Sequence, residues 1–489
     1  MLFNSHIFML LFLPLLLAGW YFLNWKKKFQ LAQGYLIGMS LWFYAYANLQ
    51  YLWLLLFSCL IGWLLSCLPE KIFSEKGKKV LTGVGCVFHL GLLGYFKYSN
   101  FFLENLNTVF HTDFPMLQIL LPVGISFYTF QQLAYLIDRC RGDAPRDSFF
   151  DYLTFMVYFP QLLQGPILLR SEFMGQLKEP ERRRFHAERF SEGIQFFVFG
   201  LAKKVLLADT LAKAVNYGYS NVSMLDSISA LLLAVGYLTE LYFDFGGYCD
   251  MAVGLGKMIG LEVAENFDAP FHSASVKEFW RRWHMTLGRF FTRYVYIPLG
   301  GNRRGKMRTL CNVMIVMLLS GLWHGAAWTF VLWGFLHGVG MIWDNLEHPH
   351  LPKKWMRQAA TFAYVCMTFV FFRAESIAQG IDVLKSIVSL KWNGFVFQMA
   401  SALDMTECYI ITKALSMKLP GLLSWFWLGI FVVLIAICFR VLSGEKVSGV
   451  VALQRQKGYG RLYPVLLAVL FTWSMISMTG VSEYLYFSF

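Results

Sequence analysis

Charged side chains are scarce in this chain. Asp, Glu, Lys and Arg make up 15% of its 489 residues, whereas an ordinary soluble domain has about a quarter. Hydrophobic residues make up 57% and aromatic residues 18%. The shortage of charge excludes an ordinary soluble domain and predicts an all-α polytopic membrane protein, because apolar runs near the ~20 residues that a spanning helix needs recur throughout. These runs lie at about 7–24, 31–47, 51–68, 79–96, 116–137, 189–207, 225–243, 309–323, 326–344, 358–373, 421–439 and 462–479.

Motifs for metal, phosphate-loop and serine-hydrolase chemistry are missing as well. The nine cysteines are scattered without CxxC or other metal-ligand spacing, and most lie inside apolar runs, which favours small buried side chains over ligands or disulfides. No P-loop, GxSxG, HExxH, internal repeat or low-complexity linker is present. We therefore expect no metal, and a single membrane domain over residues 1–489 with its core motifs at about 120–345 and further helices at 380–489.

The net charge of +13 does not indicate a nucleic-acid partner, because the basic residues alternate between loops. Basic clusters at 26–28, 71–79 and 139–146 are separated by neutral or acidic loops near 44–51 and 98–113. This is the positive-inside pattern, and it predicts an external N-terminus with anionic lipid headgroups at the basic loops. The first apolar run lacks a basic leader and a cleavage site, which predicts a retained helix.

Two aspartates interrupt an aromatic, glycine-rich run at 241–260, LYFDFGGYCDMAVGLGKMIG. Acids at membrane depth normally face protein or a watery cavity. On a continuous helix Asp244 and Tyr248 share a face, whereas Asp250 lies about 240° from Asp244. The glycines permit a break, in which case the aspartates would cap two shorter helices.

Aromatic and basic residues alternate at 278–305, EFWRRWHMTLGRFFTRYVYIPLGGNRRG. If this segment is helical, Trp280 neighbours His284 at i, i+4, and Glu278 pairs with Arg282 in the same way. Such a segment suits the cytoplasmic interface, where guanidinium groups bind lipid headgroups or a phosphorylated cofactor. The candidate phosphate-binding residues are Arg281, Arg282, Arg303 and Arg304.

Two histidines lie in the apolar stretch at 320–338, SGLWHGAAWTFVLWGFLHG. His324 and His337 would point about 220° apart on one straight helix, so they face one site only if Gly325 or Gly334 bends the chain. His324 is the stronger catalytic candidate, since a buried neutral imidazole is available as a base. A packing role that hydrogen-bonds two helices explains an intramembrane histidine equally well.

These three segments, with YFPQLLQGPILLR and LPVGISFYTFQQLAYLIDRCRGD upstream, closely resemble the membrane-bound O-acyltransferase family, in its alginate and peptidoglycan O-acetyltransferase branch. The resemblance runs from residue 1 to about 375 and weakens afterwards. It implies a ring of tilted transmembrane helices, with re-entrant and interfacial helices, around a central tunnel. It also implies a bacterial cytoplasmic-membrane enzyme that passes an acyl group, usually from acetyl-CoA, to an external hydroxyl.

The resemblance assigns roles to individual residues. It places the essential catalytic histidine at His324 and the second at His284, which would orient the thioester or donate to the oxyanion. The four arginines would hold the phosphates of CoA. The supporting or tunnel residues are His337, Asp244, Tyr248, Asp250, Trp280 and Trp323. Two positions depart from the family pattern, since an amide is expected at Glu240 and a serine at Cys249. A relay through Ser320 is disfavoured, because a helical serine commonly bonds back to its own helix.

The acceptor glycan stays open between alginate, cellulose, peptidoglycan and other exopolysaccharides. Related systems imply an exported SGNH-like or similar acetyltransferase as the partner that delivers the acetyl group. One alternative is D-alanyl transfer from a carrier protein to teichoic acid, with the same histidine and a different donor. A transporter would show paired inverted halves, which the sequence lacks, and a scaffold without activity would not depend on His324.

Overall fold

The computed structural model describes residues 1–67, 75–346, 353–442, 446–458, 460, 462–478 and 484–485. Regular secondary structure within these ranges is helical, without strands. Among the described residues, six helices are long and apolar enough to cross a membrane, and a shorter apolar helix covers Leu462–Ser477. The chain is thus an all-α polytopic membrane protein, as its composition predicts. The six are Phe8–Trp25, Leu49–Cys67, Lys76–Phe110, Ser227–Ile259, Lys306–His324 and Pro420–Phe439.

The helices are numbered here along the chain. The α-helices are α1 Leu13–Trp25, α2 Phe29–Asn48, α3 Leu52–Cys67, α4 Glu75–Leu93, α5 Ser99–Phe110, α6 Ile125–Arg141, α7 Phe149–Val157, α8 Phe159–Leu162, α9 Arg170–Leu177, α10 Ala187–Ala202, α11 Asp209–Ser220, α12 Ser227–Ile259, α13 Val276–Arg282, α14 Met285–Phe291, α15 Lys306–His324, α16 Trp328–Asn345, α17 Lys354–Arg373, α18 Ile377–Val388, α19 Phe395–Ser401, α20 Tyr409–Lys418, α21 Pro420–Leu442, α22 Val447–Lys457 and α23 Leu462–Ser477. Turns of π-helix cover Phe8–Phe12, Gly94–Tyr98, Lys203–Ala208 and Thr292–Tyr296.

The residues group into two compact units. The first comprises Met1–Phe197, Tyr248–Glu265 and Thr286–Pro298, and the second comprises Val198–Gly247, Asn266–Met285 and Leu299–Phe489. Within the first, Phe3 is fully buried and stacks on Tyr248 with ring centroids 4.7 Å apart. An ion pair from Arg170 to Asp147, at 2.7 Å, ties the start of α9 to the loop before α7.

Two expectations about helix continuity differ from the structure, in opposite directions. The apolar run at 116–137 is helical only from Ile125, because Pro122 and the left-handed Gly124 (φ +79°) precede the helix. By contrast, α12 continues for 33 residues through its glycines. The interpretation of two broken helices capped by aspartates is therefore wrong.

The second unit contains a close crossing of α15 and α16 at glycines. A Cβ added to Gly334 would lie 2.5 Å from the carbonyl oxygen of Met317 and 3.3 Å from the Cα of Gly321. Small residues let two membrane helices approach to backbone contact. This crossing brings the C-terminal turn of α15 against the first half of α16, where the candidate histidines lie.

Adding one methyl group at this crossing should destabilise the protein. We expect Gly334→Ala to lower the stability of the folded state by roughly 1–3 kcal/mol, because the added carbon overlaps backbone that cannot move aside. Thermal unfolding in detergent measures the effect as a lower Tm. Gly429→Ala on α21 is the matched control, since a Cβ there meets nothing within 4 Å. Equal Tm values for the two variants would contradict the close crossing.

Candidate active site

His324 is the last residue of α15 and is 3% exposed. The chain turns to extended backbone at Gly325, where φ is −160°, and α16 begins three residues later. Aromatic rings enclose the imidazole edge to face, with centroids 4.9 Å away for Trp323, 5.1 Å for Trp333 and 5.1 Å for Phe372. The histidine therefore occupies a dry position at a helix end, and the bend at Gly325 puts it on a different helix from His337.

His284 lies between two short helices and not on a helix with Trp280. Helix α13 ends at Arg282, and His284 adopts left-handed backbone with φ +45°. The predicted i, i+4 contact between Trp280 and His284 is therefore wrong, because the helix stops two residues before the histidine. A side chain other than glycine in this conformation is uncommon, and such residues cluster at functional sites.

The two histidines lie side by side in the second unit. Their ring centroids are 6.4 Å apart, and His284 also packs edge to face on Phe245 at 4.8 Å. The Nδ1–H of His284 donates to Oδ1 of Asn266 at 3.2 Å. Residues 276–291 lie outside the six candidate spans, and burial lowers the pKa of His284 to about 3, so the ring is neutral at neutral pH. The arrangement brings two imidazoles to one aromatic site.

His337 is held by a directed chain of hydrogen bonds. The indole N–H of Trp280 donates to its Nδ1 at 3.2 Å, so the ring proton is on Nε2, which donates to the hydroxyl of Thr368 at 2.9 Å. That hydroxyl donates to the carbonyl of Val365 at 2.8 Å. Because both nitrogens are engaged, His337 supports the packing of Trp280 and Trp333 and has no nitrogen left for substrate.

Asp244 belongs to a buried ion cluster in the second unit. Lys204 Nζ lies 2.6 Å from Asp244 and 2.7 Å from Asp209. The other oxygen of Asp244 accepts the backbone N–H of Leu485 at 3.1 Å. Glu240 lies one helical turn before Asp244 and is 2% exposed. Asp244 therefore ties the π-helical turn Lys203–Ala208, α12 and the C-terminal residues to one another.

The remaining sequence candidates are distributed between the units. Tyr248 and Asp250 lie in the first unit, whereas both catalytic candidates lie in the second. Arg282 pairs with Glu278 at 2.9 Å, which confirms that predicted i, i+4 pair. Arg281 is exposed on the same helix, and the side chains of Arg303 and Arg304 are exposed in the turn before α15.

Three residues that contact the candidates were missed by the sequence interpretation. The sequence did carry a signal for Lys204, which is a lysine inside an apolar run. A buried aspartate requires a cation nearby, and this lysine was a candidate for that cation. Asn266 and Thr368 carried no such signal. Their side chains contact histidines 18 and 31 positions away in the sequence. Helical periodicity predicts contacts only between residues three or four positions apart.

Comparison with known proteins identifies the family of the chain. Residues 141–380 match the model of MBOAT, the membrane-bound O-acyltransferase family. The chain is 35% identical to the peptidoglycan O-acetyltransferase of Helicobacter pylori over 423 residues, covering 80% of each protein. It is 39% identical to the probable alginate O-acetylase AlgI of Azotobacter vinelandii over 389 residues, covering 77% of this chain and 76% of that protein.

A more distant relative acts on another polymer by name. The teichoic acid D-alanyltransferase of Streptococcus thermophilus is 28% identical over 253 residues, covering 49% of this chain and 58% of that protein. The extent and identity of the first two matches are decisive, because they reach well beyond the three motifs. The chain is therefore a multi-pass membrane acyltransferase and belongs to the membrane-bound O-acyltransferase family.

Proposed function

We propose that this enzyme moves an acetyl group from cytoplasmic acetyl-CoA across the membrane for the O-acetylation of an extracytoplasmic polysaccharide. The observation that carries this proposal is the pairing of His284 with His324 in a buried aromatic site. Relatives named for O-acetylation of peptidoglycan and alginate support the choice of acetyl and of a polysaccharide. Alginate, cellulose, peptidoglycan and other exopolysaccharides are all acceptors of this class.

The chemistry is a single displacement at the thioester carbonyl. His324 takes the proton of the acceptor hydroxyl while the hydroxyl oxygen bonds to the acyl carbon. The carbon–sulfur bond then breaks, and the proton passes from His324 to the departing sulfur, which restores the neutral histidine. A thiolate leaves readily because a thiol titrates near ~8.5, so no strong additional acid is required. General-base catalysis of this kind contributes about 10²- to 10⁴-fold.

The proposal also includes a partner protein, a membrane location and a binding site for the donor. An exported SGNH-like or related acetyltransferase would receive the acetyl group and deliver it to the polymer. The alternation of basic loops supports a cytoplasmic-membrane location with the N-terminus outside. The exposed arginines Arg281, Arg303 and Arg304, with Arg282, would then bind the phosphates of acetyl-CoA at the cytoplasmic face.

Reversing the charge of one arginine tests the donor. We expect Arg281→Glu to raise the KM for acetyl-CoA about tenfold or more with little change in kcat, because a guanidinium–phosphate contact becomes a repulsion. Steady-state transfer of labelled acetyl in proteoliposomes measures both constants. Lys385→Glu, at another exposed cation in the second unit, is the matched control.

The outcome separates two donors. If Arg281→Glu leaves the KM for acetyl-CoA unchanged, the proposed phosphate site is wrong. D-alanyl transfer from a carrier protein is the second candidate, which the teichoic acid D-alanyltransferase relative favours. Transfer from a D-alanylated carrier protein, with no transfer from acetyl-CoA, would establish that candidate instead.

A further inference from the structure

The ring of His284 carries one hydrogen-bond donor and one acceptor. Its Nδ1 lies 3.2 Å from the amide oxygen of Asn266, and because such an oxygen only accepts, Nδ1 carries the ring proton. In a neutral imidazole the other nitrogen then holds a lone pair. That nitrogen, Nε2, is buried and has no hydrogen-bond partner among the residues that the structure describes. An oxyanion needs a donor, so this state of His284 does not suit oxyanion stabilisation.

Asn266 also fixes the backbone on which His284 stands. Its carbonyl accepts the N–H of Met285 at 2.9 Å, and two residues later Asp268 donates its N–H to the carbonyl of Arg282, also at 2.9 Å. These bonds bracket the left-handed His284 (φ +45°), a conformation that persists only where its surroundings enforce it. One residue thus determines both the position of His284 and the nitrogen that bears its proton.

The neighbour that gains from an acceptor is His324. When it takes the hydroxyl proton it becomes a cation packed edge to face against the rings of Trp323, Trp333 and Phe372. A lone pair beside that cation stabilises it, whereas a second N–H would repel it. The 6.4 Å between the two ring centroids places His284 near enough for this effect.

We propose that Asn266 is a positioning residue for acyl transfer, which holds His284 with its proton on Nδ1 so that Nε2 stabilises the protonated form of His324. This inference rests on the proposed function, because it assumes that His324 takes the hydroxyl proton. It assigns His284 the role of acceptor in place of the oxyanion donor that the sequence suggested. It also extends the site to a residue outside the three family-like motifs.

Two substitutions at Asn266 distinguish positioning from packing. Asn266→Leu removes the acceptor oxygen at similar volume, and we expect kcat to fall roughly 10- to 100-fold, the range for loss of a partner that orients a histidine, with the KM for acetyl-CoA unchanged. Asn266→Asp keeps an oxygen opposite Nδ1 and should retain most of kcat. A packing role predicts the reverse order, because Leu is tolerated in an apolar core and a buried carboxylate is costly.

The assay is transfer of labelled acetyl from acetyl-CoA to base-labile ester in native membranes that contain the overproduced protein. Asn312→Leu is the matched control, since Asn312 is a fully buried asparagine that donates to the carbonyl of Gly301 at 2.9 Å. It should lower the Tm and leave kcat unaffected. If Asn266→Leu keeps the wild-type kcat, or if Asn266→Asp loses more than Asn266→Leu, the positioning role is overturned.

Solid-state NMR of ¹⁵N-histidine-labelled protein in liposomes tests the tautomer directly. The His284 signals, identified by their loss in His284→Gln, should show a protonated Nδ1 in the wild type and a protonated Nε2 in Asn266→Leu. A protonated Nε2 in the wild type would overturn the inference. His324→Ala is measured alongside. If it keeps transfer activity the proposed function itself fails, whereas an inactive His324→Ala with an unaffected Asn266→Leu rejects only the positioning role.

Discussion

Replacing His324 by alanine should lower acetyl transfer about 10²-fold or more, because the reaction then lacks its proposed general base. The variant removes an imidazole that is 3% exposed and packed among aromatic rings. Transfer of labelled acetyl from acetyl-CoA, by purified protein in proteoliposomes with the proposed exported partner, measures the loss. His284→Ala should also lose activity, since it removes the second imidazole of the site.

A second buried histidine controls for the general cost of cutting an imidazole from the interior. His89 is fully buried in the first unit, and its Nδ1 lies 3.3 Å from the hydroxyl of Ser58. We expect His89→Ala to lower the Tm while the folded fraction keeps its kcat. If folded His324→Ala keeps transfer activity, His324 is a helix-packing residue and the proposed chemistry is wrong.

Removing Lys204 should produce the largest loss of stability in the second unit. Lys204→Met leaves the carboxylate of Asp244, which is 2% exposed, without its cation 2.6 Å away. Breaking one partner of a buried pair costs about 3–5 kcal/mol. The backbone N–H of Leu485 remains bound to Asp244, but one hydrogen bond does not offset a buried charge. Thermal unfolding and detergent-solubilised yield measure the effect.

Neutralising the aspartate as well should restore stability. In Lys204→Met/Asp244→Asn the amide oxygen still accepts from Leu485 and no net charge stays buried at position 244, so we expect recovery of most of the lost Tm. Lys385→Met is the control for a lysine on the surface, where the pair with Asp382 is 71% and 60% exposed and contributes less than about 1 kcal/mol. A double variant no more stable than Lys204→Met would show that the charge is not the cause.

The sequence predicted contacts between residues four positions apart only where the helix continues through both residues. The pair of Glu278 with Arg282 was correct, because four residues on one helix place two side chains on the same face. The same rule failed for Trp280 with His284, since the helix ends at Arg282. Where a helix stops depends here on residues 266–268, whose backbone bonds to residues 282 and 285.

The sequence alone determined the class of protein, its apolar helices and the family to which it belongs. A spanning segment of about 20 residues must form all its backbone hydrogen bonds within itself in the bilayer. The sequence of that segment is therefore sufficient to predict a helix. Only the tertiary structure decided which polar side chains meet, including His284 with Asn266, His337 with Thr368, and Lys204 with Asp244. Those contacts join residues 18, 31 and 40 positions apart, and the packing of separate segments sets them, not the periodicity of any single helix.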